Sequence, residues 1–222
     1  MNLTLFDLDG TLLANDSDHA FGDFLIQLGW ADATLHRQRN DAFYAEYQAG
    51  QLDMRAYVAF ATSPWRERSP IDLAAAQAQF IAQVVQPALH AAALTLVHSH
   101  LSQGDLVAIV TATNEFVTRP IAALFGIEHL IATELERDAN GQFTGAVQGT
   151  PAFREGKIER VNAWLATQGR TLADFERSTF YSDSMNDLPL LDHVSHPVAT
   201  NPSPALESHA RDCGWPVLKL FE

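Results

Sequence analysis

The 222 residues carry a formal net charge of −13, with 47% apolar and 18% charged side chains. That balance belongs to an ordinary globular chain, large enough for one α/β domain or for a core with an insert. The acidity argues against a general role on nucleic acid or on an anionic membrane, which would repel it, and suits a protein that binds a divalent cation.

The run "NLTLFD" predicts a short strand, since it is too brief for a helix. Nearly everything from there to Gly104 reads as helix. "DSDHAFGDFLIQLGW" has Asp16 or Ser17 as N-cap and apolar residues at helical spacing. A second helix starts on Asp32 and stops at Gly50, and a third starts near Asp53 and stops before Pro64. A fourth has Ser69 as N-cap, Pro70 in its first position and Pro87 as terminator, and "ALHAAALTLVHSHLSQG" is a fifth. "DLVAIVT" predicts the second strand, ending at Thr111. "NEFVTRPIAALFG" is helical, with Pro120 either kinking it or placing its start near Thr118. Asn140-Gly141 between two alternating runs signals a β-hairpin. "EGKIERVNAWLATQG" is a helix, "STFYSD" a strand, "MNDLPLLDHV" a helix, and "HPVAT" and "WPVLKL" short late strands.

This alternation predicts the α/β class, with a doubly wound, mostly parallel sheet plus a β-hairpin. The first crossover holds the helical insert. The expected division is a core of residues 1–14 and 86–222 and an all-helical cap over 15–85. Cys213 is the only cysteine, which excludes an internal disulfide. With no basic, apolar-cored leader and no apolar run of spanning length, the cytoplasm is the expected location. A monomer or homodimer is expected.

Ligands of doubly wound sheets bind at the carboxyl ends of the strands. Asp7, Thr111 and Asp183 end three apolar strands there. Asp183 alone reads as well as a helix cap or Asx turn as it does as a functional carboxylate. Asp7 and Asp9, followed by Gly10 and Thr11, have no nearby helix to cap. Asp7, Asp9, Asp183 and Asp187 converging in one crevice could not all stay ionised without compensation. Hard oxygen donors without His or Cys point to Mg2+, which commonly takes a substrate phosphate oxygen as a further ligand. Phosphoryl chemistry is the expectation.

At these residues the chain resembles the haloacid dehalogenase superfamily, and within it the phosphoserine-phosphatase-like branch (subfamily IB). "FDLDGTLL" is similar to that family's first motif and "IVTATN" to its second. Lys157 in "EGKIERV" falls where the third motif's lysine belongs, and "YSDSMNDLPLL" is similar to the fourth, with Ser182 and Ser184 replacing its commoner glycines. The resemblance implies a Rossmann-like core with a cap of the C1 type and a Mg2+-dependent phosphatase acting on a small phosphorylated metabolite. It makes Asp7 the nucleophile that becomes an aspartyl-phosphate, and Asp9 the acid and then the base. The metal site would be Asp7, Asp9 through its backbone carbonyl, Asp183, and Asp187 through water or supporting contacts. Thr111, the amides of Ala112 and Thr113, Lys157 and Asn186 would face the phosphate, with Arg154 the rival cation to Lys157. A phosphomutase or phosphotransferase, or an idle binding protein, are the competing readings; retention of Asp7 and Lys157 argues against the last.

In the same branch, a Glu nine residues after the nucleophile holds the amine of phosphoserine; here that position is Asp16, which serves either the substrate or only the helix cap. The family's cap Arg for the substrate carboxylate aligns with Ala59, with Arg55 one turn earlier. An amine or amino-alcohol phosphate without a carboxylate, such as histidinol phosphate or phosphoethanolamine, is therefore expected to be preferred over phosphoserine. The nine histidines read as surface residues, and Trp65 reads as a packing residue or a substrate contact.

Overall fold

Leu3–Phe6 form β1, and every one of its side chains is buried. A strand covered on both faces must be apolar on both, and the period of two sorts its residues. Leu3 and Leu5 join one apolar cluster, with Ala108, Val110 and Phe180. Phe6 joins the other, with Val107, Ile109 and Tyr181. Phe6 also stacks on Tyr181 at 4.8 Å between ring centroids. The structure is a computed structural model and describes residues 1–221.

Six helices separate β1 from the next strand: α1 (Ser17–Gln27), α2 (Ala33–Gln48), α3 (Met54–Thr62), α4 (Pro70–Phe80), α5 (Gln86–Ala88) and α6 (Ala91–Ser102). Asp16, Asp32, Asp53 and Ser69 cap the first four, each accepting from a backbone N–H of the first turn. Pro87 does not terminate the fourth helix as expected. A π-helical turn, Ile81–Val85, precedes it and the helical path runs on through Ala88. The wider turn accommodates a ring that would clash with the carbonyl four residues back in a regular helix.

Beyond the helices come β2 (Leu106–Asn114), α7 (Glu115–Leu124), β3 (His129–Thr133), β4 (Leu135–Arg137), β5 (Phe143–Val147), α8 (Glu155–Thr167), β6 (Ser178–Ser182), α9 (Leu188–Leu191), β7 (His196–Thr200), α10 (Pro204–Cys213) and β8 (Val217–Leu218). The main sheet has the order β3-β2-β1-β6-β7-β8. Every neighbouring pair in it is parallel. β4 and β5 form the separate hairpin around Asn140-Gly141. The first alternating run thus divides: His129–Thr133 joins the main sheet and only Leu135–Arg137 enters the hairpin. Pro120 lies inside α7. It cannot donate to the Phe116 carbonyl four residues back, and Gln77 Nε2 donates there instead at 2.6 Å.

Two histidines are not surface residues as expected. His36 is buried and stacks on Phe60 at 4.7 Å. The His100 ring lies 2.8 Å from Asp105 Oδ2 and 2.9 Å from the Tyr181 hydroxyl. Among the described residues no helix is long and apolar enough to cross a membrane.

Candidate active site

β1, β2 and β6 lie side by side, so the residues at their carboxyl ends meet. Asp7 follows β1, and its amide donates to the Tyr181 carbonyl at 2.9 Å, which holds it against β6. The chain then turns at Gly10, whose φ is +75°. A Cβ there would lie 2.3 Å from Asp183 Oδ2, so glycine is required both by the backbone and by the approach of that carboxylate. Thr111 does not end β2 as expected. Val110 pairs with Ile131 and Asn114 with Thr133, four steps along β2 against two along β3. The two extra residues carry Thr111–Thr113 out of register, beside Asp7 and Asp9.

Lys157 Nζ donates to Asp7 Oδ1 at 2.8 Å and to Asp187 Oδ2 at 2.7 Å, all three side chains being buried. Ser182 adds a hydroxyl donor to Asp187 at 2.7 Å. On its other side, Asp7 Oδ2 lies 3.5 Å from Thr11 Oγ1, which donates to Asp183 Oδ1 at 3.2 Å. Asp9 is held separately: it accepts from the Ser17 amide at 2.7 Å and from Thr113 Oγ1 at 2.8 Å.

Burial pushes the Asp7 carboxyl up to about 7, against the pull of Lys157. Burial and the charge of Asp16 push Asp9 to about 7 as well. Asp183 is raised well above the usual range by burial and by the charges of Asp7 and Asp187. Burial alone would lower the Lys157 ammonium, but Asp187 and Asp7 more than offset it and hold it charged.

The four carboxylates expected on one cation converge only in part, because Asp9 is engaged with Ser17 and Thr113 and Asp187 with Lys157 and Ser182. Among the described residues no group of three or more His, Cys, Asp or Glu side chains is arranged to enclose a metal ion. Mg2+ does not need such a cage, since it usually keeps water and takes one or two carboxylates. Asp7 and Asp183, bridged by Thr11, offer that pair. Charge supports the fit: Asp7 and Asp187 share one ammonium, Lys157, and the neighbouring Asp183 has no ion-pair partner among the described residues, so the three carboxylates when ionised leave two negative charges for one divalent cation.

A cavity opens from this cluster into the helical segment. Asp7, Asp9, Gly10, Thr111, Ala112, Thr113 and Asp183 line it together with Asp16, Asp18, Tyr44, Tyr47 and Tyr57 of the helical segment. No Lys or Arg is among its described lining residues. Asp16 Oδ1 caps α1 by accepting from the His19 amide at 2.8 Å, and the residue also borders the cavity. Asp18, which the sequence does not single out, is buried beside it, and Asn114 Nδ2 donates to its Oδ1 at 3.2 Å.

Other expected residues are turned elsewhere. Asn186 Nδ2 donates to the Tyr47 carbonyl at 2.8 Å, and Arg154 donates to the Gly50 carbonyl at 2.9 Å, so both clip the end of α2 rather than the Asp7 cluster. Lys157, not Arg154, is the cation on Asp7. Arg55 is exposed and donates to the Gly149 carbonyl, and Ala59 is exposed too. Trp65 is buried and stacks on Phe116 at 4.5 Å, away from the cavity lining. Asn201, also unforeseen, has φ +44° and donates to the Gly10 and Thr11 carbonyls at 3.0 and 3.2 Å, while its Oδ1 accepts from the Leu220 amide at 2.6 Å.

The haloacid dehalogenase-like hydrolase family model matches residues 4–192. The chain is 45% identical to a histidinol-phosphatase of Neisseria meningitidis serogroup C (strain 8013), over 99% of both chains. It is 49% identical to a solved Bordetella pertussis Tohama I protein of unknown function, with a TM-score of 0.93 and 99% of both chains covered. A substrate-bound phosphoserine phosphatase shares the fold at a TM-score of 0.68 and 18% identity, over 97% of this chain and 91% of that one.

Proposed function

We propose, for a chain that belongs to the haloacid dehalogenase-like hydrolases and is one of their phosphatases, that its substrate is histidinol phosphate and that residues 15–85 are the cap that selects it. The observation that carries the reading is the cavity itself. Asp7 and Asp9 share its wall with Asp16 and Asp18 of the helical segment, and among the described residues no Lys or Arg lines it. A phosphate ester that also carries a basic group complements that lining. A substrate carboxylate would be desolvated against Asp16 and Asp18 with no cation to meet it, which is costly. The histidinol-phosphatase relative supports the same choice. The cap boundaries draw support from an antiparallel bridge between Leu13 and Leu89, which brings the two ends of the helical segment together.

In this reading Asp7 attacks phosphorus. The bond to the alcohol oxygen breaks as the bond to the Asp7 carboxylate forms, and Asp9 protonates the departing oxygen. Asp9 then takes a proton from the water that attacks the aspartyl-phosphate, which releases phosphate and restores both carboxyl groups. A carboxyl held at about 7 suits both transfers, because near neutrality both of its forms are populated. Lys157 fixes the Asp7 carboxylate and adds positive charge where the phosphoryl oxygens would sit. Asp7, Asp183 and the Asp9 carbonyl would hold Mg2+, which when bound supplies positive charge to the phosphoryl group. The test is phosphate release from histidinol phosphate and phosphoserine with excess Mg2+ and after chelation. Expected is metal-dependent release, with kcat/KM at least about tenfold higher for histidinol phosphate. A preference for phosphoserine, or activity that survives exhaustive chelation, would overturn the reading.

A further inference from the structure

We propose that Asp18 is a second recognition residue in the cap, which takes an N–H of a nitrogen ring in the substrate while Asp16 takes its amine. The inference rests on the amine-phosphate reading above and adds to it that the enzyme reads two nitrogen groups.

The placement of Asp18 is specific. It lies in the first turn of α1, 7% exposed, as part of the cavity wall. Among the described residues it has no salt-bridge partner. Asn114 Nδ2, which donates to it, is itself oriented, because the Asn114 side-chain oxygen accepts from the Val117 amide at 3.2 Å. With its oxygen committed to α7, Asn114 can only present its NH2 group to Asp18. The Tyr57 phenol stands beside the same carboxylate. A carboxylate buried against a neutral amide and a phenol leaves much of its hydration unreplaced. A ligand N–H in the cavity would replace it.

Phosphate, amine and ring can then each meet a different group of the cavity wall. The phosphate goes to Asp7 and Asp183, with Lys157 behind Asp7. Asp16, whose Oδ1 is spent on the helix cap, borders the cavity for the amine. Tyr57 stands beside Asp18, and Phe43 and Tyr44 also line the cavity, so aromatic surface is available to a planar ring. Burial and the charge of Asp16 push the Asp18 carboxyl up to about 7, near the ordinary range of an imidazole. One proton shared between the two groups makes the same hydrogen bond whichever of them carries it.

Two comparisons test this. In the wild-type chain, histidinol phosphate should exceed phenylalaninol phosphate in kcat/KM by about 10–100-fold, because the phenyl ring would bury Asp18 without an N–H. In Asp18→Asn, the ratio of kcat/KM for histidinol phosphate to that for phosphoethanolamine, which has an amine but no ring, should fall by about 10–100-fold, mainly through KM. Asp16→Asn should instead weaken both substrates together. Equal use of the imidazole and phenyl substrates by the wild type, or an unchanged ratio in Asp18→Asn, overturns the role of Asp18 and leaves the amine-phosphate reading standing. Failure of the wild type to hydrolyse histidinol phosphate overturns that reading and this inference with it. If Asp18→Asn does not fold, equal use of the imidazole and phenyl substrates by the wild type still overturns the role of Asp18.

Discussion

Replacing Asp18 by Asn should stabilise the ligand-free chain above neutral pH and change little in acid. In the folded chain this carboxyl titrates at about 7, raised from an ordinary 3.8 by burial and by the charge of Asp16. The sign follows from which state holds the proton. Between the two values the folded chain keeps a proton that the unfolded chain has released, so stability falls as pH rises through that window and levels off above it. Each pH unit is worth about 1.4 kcal/mol, so about three units set an upper bound near 4 kcal/mol. That is a large share of the roughly 5–15 kcal/mol that holds a domain folded. Asn keeps the size and can still accept from Asn114, but carries no charge. The assay is urea unfolding in chelator at about pH 5 and pH 8, for both proteins. Asp7, Asp9 and Asp183 are also raised, so the wild-type curve alone does not isolate Asp18; the difference between the curves does. From pH 5 to pH 8 the wild type should lose about 2–3 kcal/mol relative to Asp18→Asn. Parallel curves would show that the carboxyl is not held protonated by burial, and the reasoning would fail.

Asp9→Asn should slow turnover by about 10²–10⁴, more for an alkyl phosphate than for nitrophenyl phosphate, whose leaving group needs no proton; equal losses on both would remove Asp9 as the acid. Lys157→Met leaves two buried carboxylates facing each other, so it should destabilise the chain by about 3–5 kcal/mol in denaturant unfolding. Adding Asp187→Asn to it should recover part of that loss, and strict additivity of the two changes would mean that the pair is not coupled. Asn201→Ala should lower kcat with KM little changed, because Asn201 holds the Gly10–Thr11 turn and not the substrate. Asn201→Gly should lower kcat as much but unfold less readily, since glycine relieves the strain at φ +44°; a kcat near wild type in either variant removes the positioning role.

The parts legible in the sequence were those whose signals are local. A capping side chain and the amides it satisfies lie within three residues, so Asp16, Asp32, Asp53 and Ser69 could be placed from residue type alone. β1 with Asp7, Asp9 and Gly10 was legible because carboxylates behind an apolar strand have no packing role. α10 carries its own signals, Ser203 as cap, Pro204 in the first turn and left-handed Gly214 at the end, but its mixed, polar composition hides them between two short strands. The split of the alternating run at Glu134 was not legible, because β3 pairs with β2 across the α7 crossover and not with the strand that follows it in the same run. Pro87 misled because a proline stops a regular helix, whereas a π-helical turn lets one pass.

The sequence points to Asp16 in the site through its place nine residues after Asp7 in the family resemblance, and nothing comparable points to Asp18. Side chains two apart within a helix face different sides. That rule separates His98 from His100, of which the first is exposed and the second is half-buried. It does not govern Asp16 and Asp18, because Asp16 is the N-cap, with extended backbone at φ −87° and ψ 117°, and lies outside the helical repeat. A cap side chain folds back over the first turn to reach its amide, which brings it to the side where Asp18 already points into the cavity wall. One helix start can therefore offer two carboxylates to one ligand. Burial raises both the Asp16 and Asp18 carboxyls, so ionising them costs stability. A basic ligand group would offset that cost, which is why the stability of Asp18→Asn and its substrate preference should move together.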